Sequence, residues 1–229
     1  MRFLLVSDIH KSYEFYRGYD ESVAVEWLLE IIDETKPQVL ISAGDWDEGM
    51  TSEDFGRILS KVKLLTVYGN HENFPIIQRY AIPNGKVFEF GGLKIAGING
   101  LVGDNNIKGI PITTPTQFMN AIYRIKKYVP KLDILVTHQP PYIPEIYPKM
   151  RPDNYNELVF EAVEDLKPRL FFNGHMTAGC YSSYKFPSGT KYLRVDSSQI
   201  YKCYGLLESE VNEVRVYNED NEEVFSLTF

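Results

Sequence analysis

The chain is poor in cysteine, histidine and tryptophan, with two, four and two copies among 229 residues. Two cysteines cannot build a disulfide framework, so free thiols and a reducing compartment are the simpler expectation. No apolar run approaches the ~18 residues of a membrane span, and Ser7-Asp8 interrupts the apolar start too early for a signal peptide. We therefore expect a cytoplasmic protein without a membrane segment.

Basic residues are also scarce: 24 lysines and arginines face 31 acidic residues, for a formal net charge of −7. This balance argues against tight binding of long nucleic acid, although it leaves room for a local basic groove. The sequence has no internal repeat, low-complexity tract or flexible linker. We therefore predict one domain over residues 1–229 and leave the oligomeric state open.

Five short apolar runs alternate with helical patterns in the first two-thirds of the chain. They span residues 2–7, 38–43, 63–68, 133–137 and 169–173. Each run is too continuous to have one wet face, as is typical of parallel strands covered on both sides.

Three helices are predicted between these runs, beginning near Ser22, at Thr114 and at Asn154. At Thr114, Pro115 takes the first helical position and Gln117 completes a capping box. The expected buried faces are Val25, Leu28, Leu29 and Ile32; Phe118, Ala121, Ile122 and Ile125; and Leu158, Ala162, Val163 and Leu166.

The rest of the chain reads as β-structure. Gly91-Gly92 indicates a hairpin of residues 86–90 and 93–97. After His175, possible strands span 181–186, 190–195, 201–207, 211–217 and 223–227, which favours an antiparallel or mixed second sheet. The predicted architecture is α/β, with two sheets and helices on their outer faces.

Metal-binding side chains follow the five apolar runs in order: Asp8 and His10, then Asp45, then Asn70 and His71, then His138, then His175. Ligands bind beyond the carboxyl ends of parallel strands, so these side chains are expected at one edge. A single histidine after a strand is more often structural than functional. All four histidines of the chain occupy such positions, which favours a metal site.

The residue types fit a centre of two ions. Imidazole suits Zn, Fe, Ni and Cu, carboxylate and amide oxygens suit harder ions such as Mn, and Asp45 can bridge two cations. We expect the glycines at 44, 69 and 174, which precede these residues, to permit tight turns with unusual backbone angles.

Asp8-x-His10, Gly44-Asp45, Gly69-Asn70-His71-Glu72, His138 and Gly174-His175 resemble, in order, the motifs of calcineurin-like metallophosphoesterases. The resemblance implies a four-layer αββα sandwich of two mixed β-sheets. It also implies that Asp8, His10 and Asp45 hold one divalent metal, that Asp45, Asn70, His138 and His175 hold the other, and that His71 is the catalytic histidine.

One position departs from the family pattern. The last motif usually reads Gly-His-x-His, whereas this chain has Thr177 in place of the second histidine. A hydroxyl is a poorer metal donor than imidazole, so the first site is expected to bind its ion more weakly. Cys180 is a possible thiolate ligand, although a free cysteine more often packs as a small hydrophobe.

The resulting hypothesis is a metal-dependent phosphoesterase that uses Mn²⁺, with Fe, Zn, Ni or Co as alternatives. A hydroxide bridging the metals attacks a small-molecule phosphate ester, His71 protonates the leaving alkoxide or stabilises charge, and Asn70 orients the substrate. Among the possible activities, a phosphodiesterase is the first hypothesis. The alternatives are a phosphomonoesterase (phosphatase) and a catalytically weakened scaffold for protein interaction.

Further residues near the motifs are candidates: a solvated surface role is equally plausible for the acidic ones, and a packing or surface role is favoured for Tyr142, Tyr147 and Arg151. Asp47, Glu48 and Glu72 could orient the histidines. Two loops could line the site: residues 140–154, with Tyr142, Tyr147 and Arg151, and residues 97–109, with Asn99, Asp104, Asn105 and Asn106.

Overall fold

A computed structural model describes residues 1–105 and 109–229. Its strands are β1 (Arg2–Val6), β2 (Phe15–Tyr16), β3 (Tyr19–Asp20), β4 (Val39–Ser42), β5 (Lys63–Thr66), β6 (Val87–Phe90), β7 (Leu93–Ile98), β8 (Ile134–Thr137), β9 (Leu170–Asn173), β10 (Tyr181–Lys185), β11 (Lys191–Val195), β12 (Tyr204–Glu208), β13 (Glu213–Tyr217) and β14 (Glu223–Thr228). The helices are α1 (Ala24–Thr35), α2 (Ser52–Leu59), α3 (Phe74–Ile77), α4 (Pro115–Tyr128) and α5 (Asn154–Leu166).

Two six-stranded mixed sheets form the centre of the molecule. The first has the order β14-β13-β12-β1-β4-β5, with β1, β4 and β5 parallel. The second has the order β10-β11-β9-β8-β7-β6, with β7, β8, β9 and β11 parallel. Asn106, which was considered for the site, lies outside the described residues.

Alternating side chains of β1 show how the layers pack. Phe3 and Leu5 belong to a core cluster that contains residues of both sheets. Leu4 and Val6 point the other way, into a cluster with α1 and α2, as the two-residue period of a strand requires. A third cluster packs the second sheet against α4 and α5. The order helix, sheet, sheet, helix confirms the predicted four-layer αββα sandwich. The core shared by both sheets supports our proposal that residues 1–229 form one domain.

The helices begin largely where the sequence indicates. Thr114 caps α4 in a capping box with Gln117, and the four residues predicted for its buried face are all buried. Helix α1 follows a short 3₁₀ turn that Asp20 caps. Helix α5 instead buries Asn156 and Val159 beside the predicted Ala162 and Val163. Helix α2 was not predicted, although Thr51 and Asp54 form its capping box.

The expectation for the C-terminal strands is wrong in one respect. They do not form a sheet of their own: β10 and β11 extend the second sheet, and β12–β14 extend the first. Strand β11 pairs in parallel with β9, with Leu193 opposite Phe172. Alternation within a strand shows which face is buried but not which strand it pairs with.

Candidate metal centre

The seven predicted site residues all lie in loops at the carboxyl ends of parallel strands. Asp8 and His10 follow β1, Asp45 follows β4, Asn70 and His71 follow β5, His138 follows β8 and His175 follows β9. A cavity of about 290 Å³ is lined by all of them except His138, which is fully buried against Asp45. Loops from both sheets therefore meet at one cavity.

Asp8, His10 and Asp45 form a first group of possible metal ligands, with donor atoms all within 4.8 Å of one another. His10 Nε2 lies 4.0 Å from Asp8 Oδ1 and 3.7 Å from Asp45 Oδ2. The other ring nitrogen, Nδ1, lies 2.9 Å from Asp47 Oδ2. Because a carboxylate accepts, Nδ1 carries the proton of the neutral ring and the Nε2 lone pair faces the aspartates.

Asp45, His138 and His175 form a second group with the same mutual spacing. His138 Nε2 lies 3.3 Å from both Asp45 Oδ1 and His175 Nδ1. Asn70 Oδ1 lies 3.1 Å from His138 Nε2 and 2.8 Å from His175 Nδ1. His138 Nδ1 donates to the Ala43 carbonyl at 2.7 Å, which leaves Nε2 free to act as a ligand.

Asp45 belongs to both groups and is 2% exposed. Its Oδ1 accepts the backbone N–H groups of Asn70 and His71, both at 2.8 Å, and faces His138. Its Oδ2 faces His10. One oxygen of the carboxylate is thus directed toward each group.

Left-handed backbone angles are concentrated at these residues. The φ angles are 56° at Asp8, 49° at His10, 59° at Asp45 and 71° at His175. Such angles are uncommon outside glycine and cost on the order of 1–3 kcal/mol each. The surrounding sheets hold the loops in this conformation, as is common at functional sites.

Three glycines precede residues of the site, and a left-handed backbone explains only one of them. Gly44 has a φ of 95°, as predicted, but Gly69 and Gly174 are not left-handed. A Cβ on Gly69 would lie 2.1 Å from Asp45 Oδ1 and 2.7 Å from the His138 ring. Gly69 is required because the donor side chains approach its backbone closely.

The donor atoms suit a divalent cation. Two buried carboxylates, three imidazole rings and one amide oxygen converge from two sheets, and borderline transition metals accept this combination. A family model described as calcineurin-like phosphoesterase matches residues 1–178, more than half of the chain. The chain belongs to the calcineurin-like phosphoesterase family. This family is metal-dependent.

Solved structures share the fold of this phosphoesterase. The protein TT1561 of Thermus thermophilus is 15% identical, with a TM-score of 0.65 over 95% of this chain and 98% of that one. A dimetal phosphatase from Danio rerio is 11% identical, with a TM-score of 0.60 over 100% and 98%. GAP50, the anchor in the inner membrane complex of Plasmodium, is 14% identical, with a TM-score of 0.60 over 100% and 88%. A comparison with curated protein sequences gave no match.

Burial and close charges set the protonation of the phosphoesterase site. Burial raises the pKa of Asp8 to about 6. Burial opposes protonation of His138, but the Asp45 carboxylate outweighs it and raises the pKa of His138 to about 9. Burial and the charge of His138 lower the pKa of His175 to about 4. At pH 7 without a cation, His138 is therefore the protonated, cationic imidazole of the second group, and His175 is neutral.

The three neighbouring acidic residues differ in their contacts. Asp47 hydrogen-bonds to His10, as expected. Glu72 holds backbone rather than a histidine: it accepts the N–H groups of Asp45 at 2.9 Å, Trp46 at 3.2 Å and Gly69 at 2.7 Å. Glu48 has an exposed side chain.

Cys180 is not available as a ligand. It forms a disulfide with Cys203, so the expectations of free cysteines and of a Cys180 thiolate are both wrong. The two cysteines lie 23 residues apart in sequence, and only the packing of their loops brings them together. Thr177 is exposed and lines the cavity.

Asp196 was missed by the sequence analysis. It follows β11, is 4% exposed and lines the cavity, with Oδ1 accepting the Ser198 N–H at 3.1 Å. Because β11 is parallel to β9, Asp196 occupies a strand end equivalent to that of His175. The same rule would have identified it had the direction of β11 been known. The cavity residues Tyr16, Glu21 and Ile200 carried no such signal.

The candidate loops contribute unequally. Arg151, Asp104 and Asn105 line a second cavity, which reaches His175. Three other candidates, all among the described residues, do not reach the centre. Tyr147 is buried, with its hydroxyl 2.8 Å from that of Tyr192; Asn99 is buried and holds the Tyr68 and Ile82 backbone; and Tyr142 lines a separate cavity with Glu145.

The hydrogen bond from His10 to Asp47 yields a prediction. Asp47→Asn is expected to lower the affinity for Mn²⁺ about 10- to 100-fold, because carboxylates that orient ligand histidines have effects of this size. Metal affinity is measured by competition with a chelating dye. Glu48→Gln is the matched control, and equal affinities for the two variants would refute the role of Asp47.

The protonation of His138 in the second group yields a second prediction. A metal ion must displace the His138 proton below pH 9, so apparent Mn²⁺ affinity at this group is expected to rise about tenfold per pH unit from pH 6.5 to 8.5. Dye competition at several pH values measures the slope. A flat profile would show that His138 does not bind the ion.

Proposed function

We propose that the protein is a phosphodiesterase that hydrolyses a small-molecule phosphate ester at a centre of two divalent ions, Mn²⁺ first among them. The observation that carries the proposal is the division of Asp45 between two ligand groups. Asp8, His10 and Asp45 would hold one ion; Asp45, Asn70, His138 and His175 would hold the other. When bound, the ions neutralise the phosphate oxygens and lower the pKa of the attacking water.

His71 is the residue that we propose acts on the leaving group. It lines the cavity but belongs to neither ligand group. Its ring makes an edge contact with His10, with centroids 5.4 Å apart, and its backbone N–H is bonded to Asp45. The imidazole is therefore close to the ligands and free to give a proton to the departing alkoxide.

The charge of the cavity favours a diester over a monoester. Its described lining contains five carboxylates, from Asp8, Glu21, Asp45, Asp47 and Asp196, and no lysine or arginine. A monoester dianion brings one more negative charge than a diester monoanion, and the described lining offers no lysine or arginine to balance it. The phosphomonoesterase alternative lacks such support.

The expectations of a cytoplasmic location and of a substrate other than nucleic acid remain proposals. Among the described residues no helix is long and apolar enough to cross a bilayer. The net charge of −7 continues to argue against nucleic acid as a substrate. A cytoplasmic location stays a prediction, and the disulfide removes the free thiols on which it partly rested.

Ester preference is tested with bis-p-nitrophenyl phosphate and p-nitrophenyl phosphate on chelator-stripped protein titrated with Mn²⁺. Metal-dependent turnover is expected to be faster on the diester. Faster turnover of the monoester would indicate a phosphatase. Bound metal without turnover of either substrate would favour the scaffold alternative.

His71→Ala is expected to lower kcat about 10²- to 10⁴-fold, the usual contribution of a positioned general acid. Because His71 lies in neither ligand group, metal content should stay near that of the unmodified protein. Turnover and metal content by mass spectrometry are measured on the same preparation. Near-normal kcat, or loss of metal together with activity, would contradict the assigned role.

A further inference from the structure

An aromatic hairpin, defined as residues 13–20 around β2 and β3, contributes Tyr16 to the lining of the metal cavity. Its two central residues, Arg17 and Gly18, have φ angles of 51° and 88°, as a type I′ turn requires. Four exposed aromatic residues fall within seven consecutive positions of the chain. They are Tyr13, Phe15, Tyr16 and Tyr19, which are 74%, 73%, 48% and 43% exposed. Clustered exposed apolar side chains usually mark a binding surface.

The root of the aromatic hairpin is fastened to the loop that carries Asp45. The Lys11 N–H donates to the Trp46 carbonyl and the Gly49 N–H donates to the Lys11 carbonyl, both at 2.9 Å. The two residues that flank the hairpin are also joined to each other, since Ser12 Oγ donates to Glu21 Oε2 at 2.6 Å. The position of the hairpin is therefore set by the metal loops.

Tyr16 is the hairpin aromatic that lines the cavity. The guanidinium of Arg17 lies over its ring, 5.1 Å from the centroid, while 48% of the residue stays exposed. Ile200, from the loop between β11 and β12, lines the same cavity. The cavity that holds the candidate metal ligands is thus also lined by two apolar side chains from separate parts of the chain.

We propose that Tyr16 determines substrate specificity by stacking on a planar aromatic group, a nucleobase or an aryl ring, on one ester arm of the phosphodiester. This inference rests on the proposed function. With its phosphate at the ligand groups, a diester must place an arm in the remaining cavity, where Tyr16 and Ile200 are the apolar surfaces. Stacking on an aromatic side chain is the interaction that such a site offers to any flat ring.

The test is equilibrium binding by calorimetry of three methyl diesters to the Mn²⁺-loaded protein: dimethyl phosphate, benzyl methyl phosphate and the methyl ester of thymidine 5′-monophosphate. Tyr16→Ala is expected to raise the Kd of the ring-bearing diesters about 10-fold and leave that of dimethyl phosphate unchanged. Tyr16→Phe should retain the unmodified Kd. Tyr123→Ala, which removes a 71% exposed tyrosine from α4, is the control.

Preferential loss of the thymidine ester or of the benzyl ester identifies the ring as a nucleobase or an aryl group. Equal effects of Tyr16→Ala on all three ligands, or none, would overturn the inference and leave the aromatic hairpin as a surface for another macromolecule. Binding does not require turnover. Ring-dependent binding without hydrolysis of any diester would therefore reject the proposed function and not the role of Tyr16.

Discussion

The site depends on how the Asp45 carboxylate is held where the two sheets meet. Two backbone N–H groups fix its Oδ1 from the loop after β5. The same oxygen faces His138 from the second sheet, and Oδ2 faces His10 from the first. Against the effect of burial, this carboxylate raises the pKa of His138. Against the same effect, the pKa of His10 is raised first by its hydrogen bond with Asp47 and then by the charges of Asp45 and Asp8. The second ligand group is therefore complete only where the two sheets pack together.

This arrangement explains why strained backbone is tolerated at the strand ends. Strands β1 and β4 are buried on both faces, so the positions at which their loops begin are fixed by the core. Glu72 then ties the loops after β4 and β5 together through backbone N–H groups, and burial with the nearby Asp45 raises the pKa of Glu72 to about 8. The aromatic hairpin is held in a different way from the buried strands. Among the described residues its two strands pair only with each other, and hydrogen bonds of Lys11 at its base tie it to the loop that carries Asp45.

The sequence predicted which strand-end loops carry the candidate site residues, because the signals for these positions are local. Each of the five apolar runs is followed by a residue of the candidate site, and the capping box at Thr114 fixes the start of α4. Strand partners are not local: the parallel pairing of β11 could not be read from alternation, and Asp196 was missed with it. The Cys180–Cys203 disulfide was missed for the same reason, since proximity across 23 residues is set by tertiary packing. Tyr16 carried no motif and is distinguished only by the cavity it lines.

The most direct test of the account is an anomalous difference map from crystals of the protein soaked in Mn²⁺. Two peaks are expected, one bounded by Asp8, His10 and Asp45 and the other by Asp45, His138 and His175. Both should lie within the ~2.0–2.6 Å coordination range of a carboxylate oxygen of Asp45. A single peak, or two peaks that do not share Asp45, would contradict the central claim that this carboxylate joins the two ligand groups.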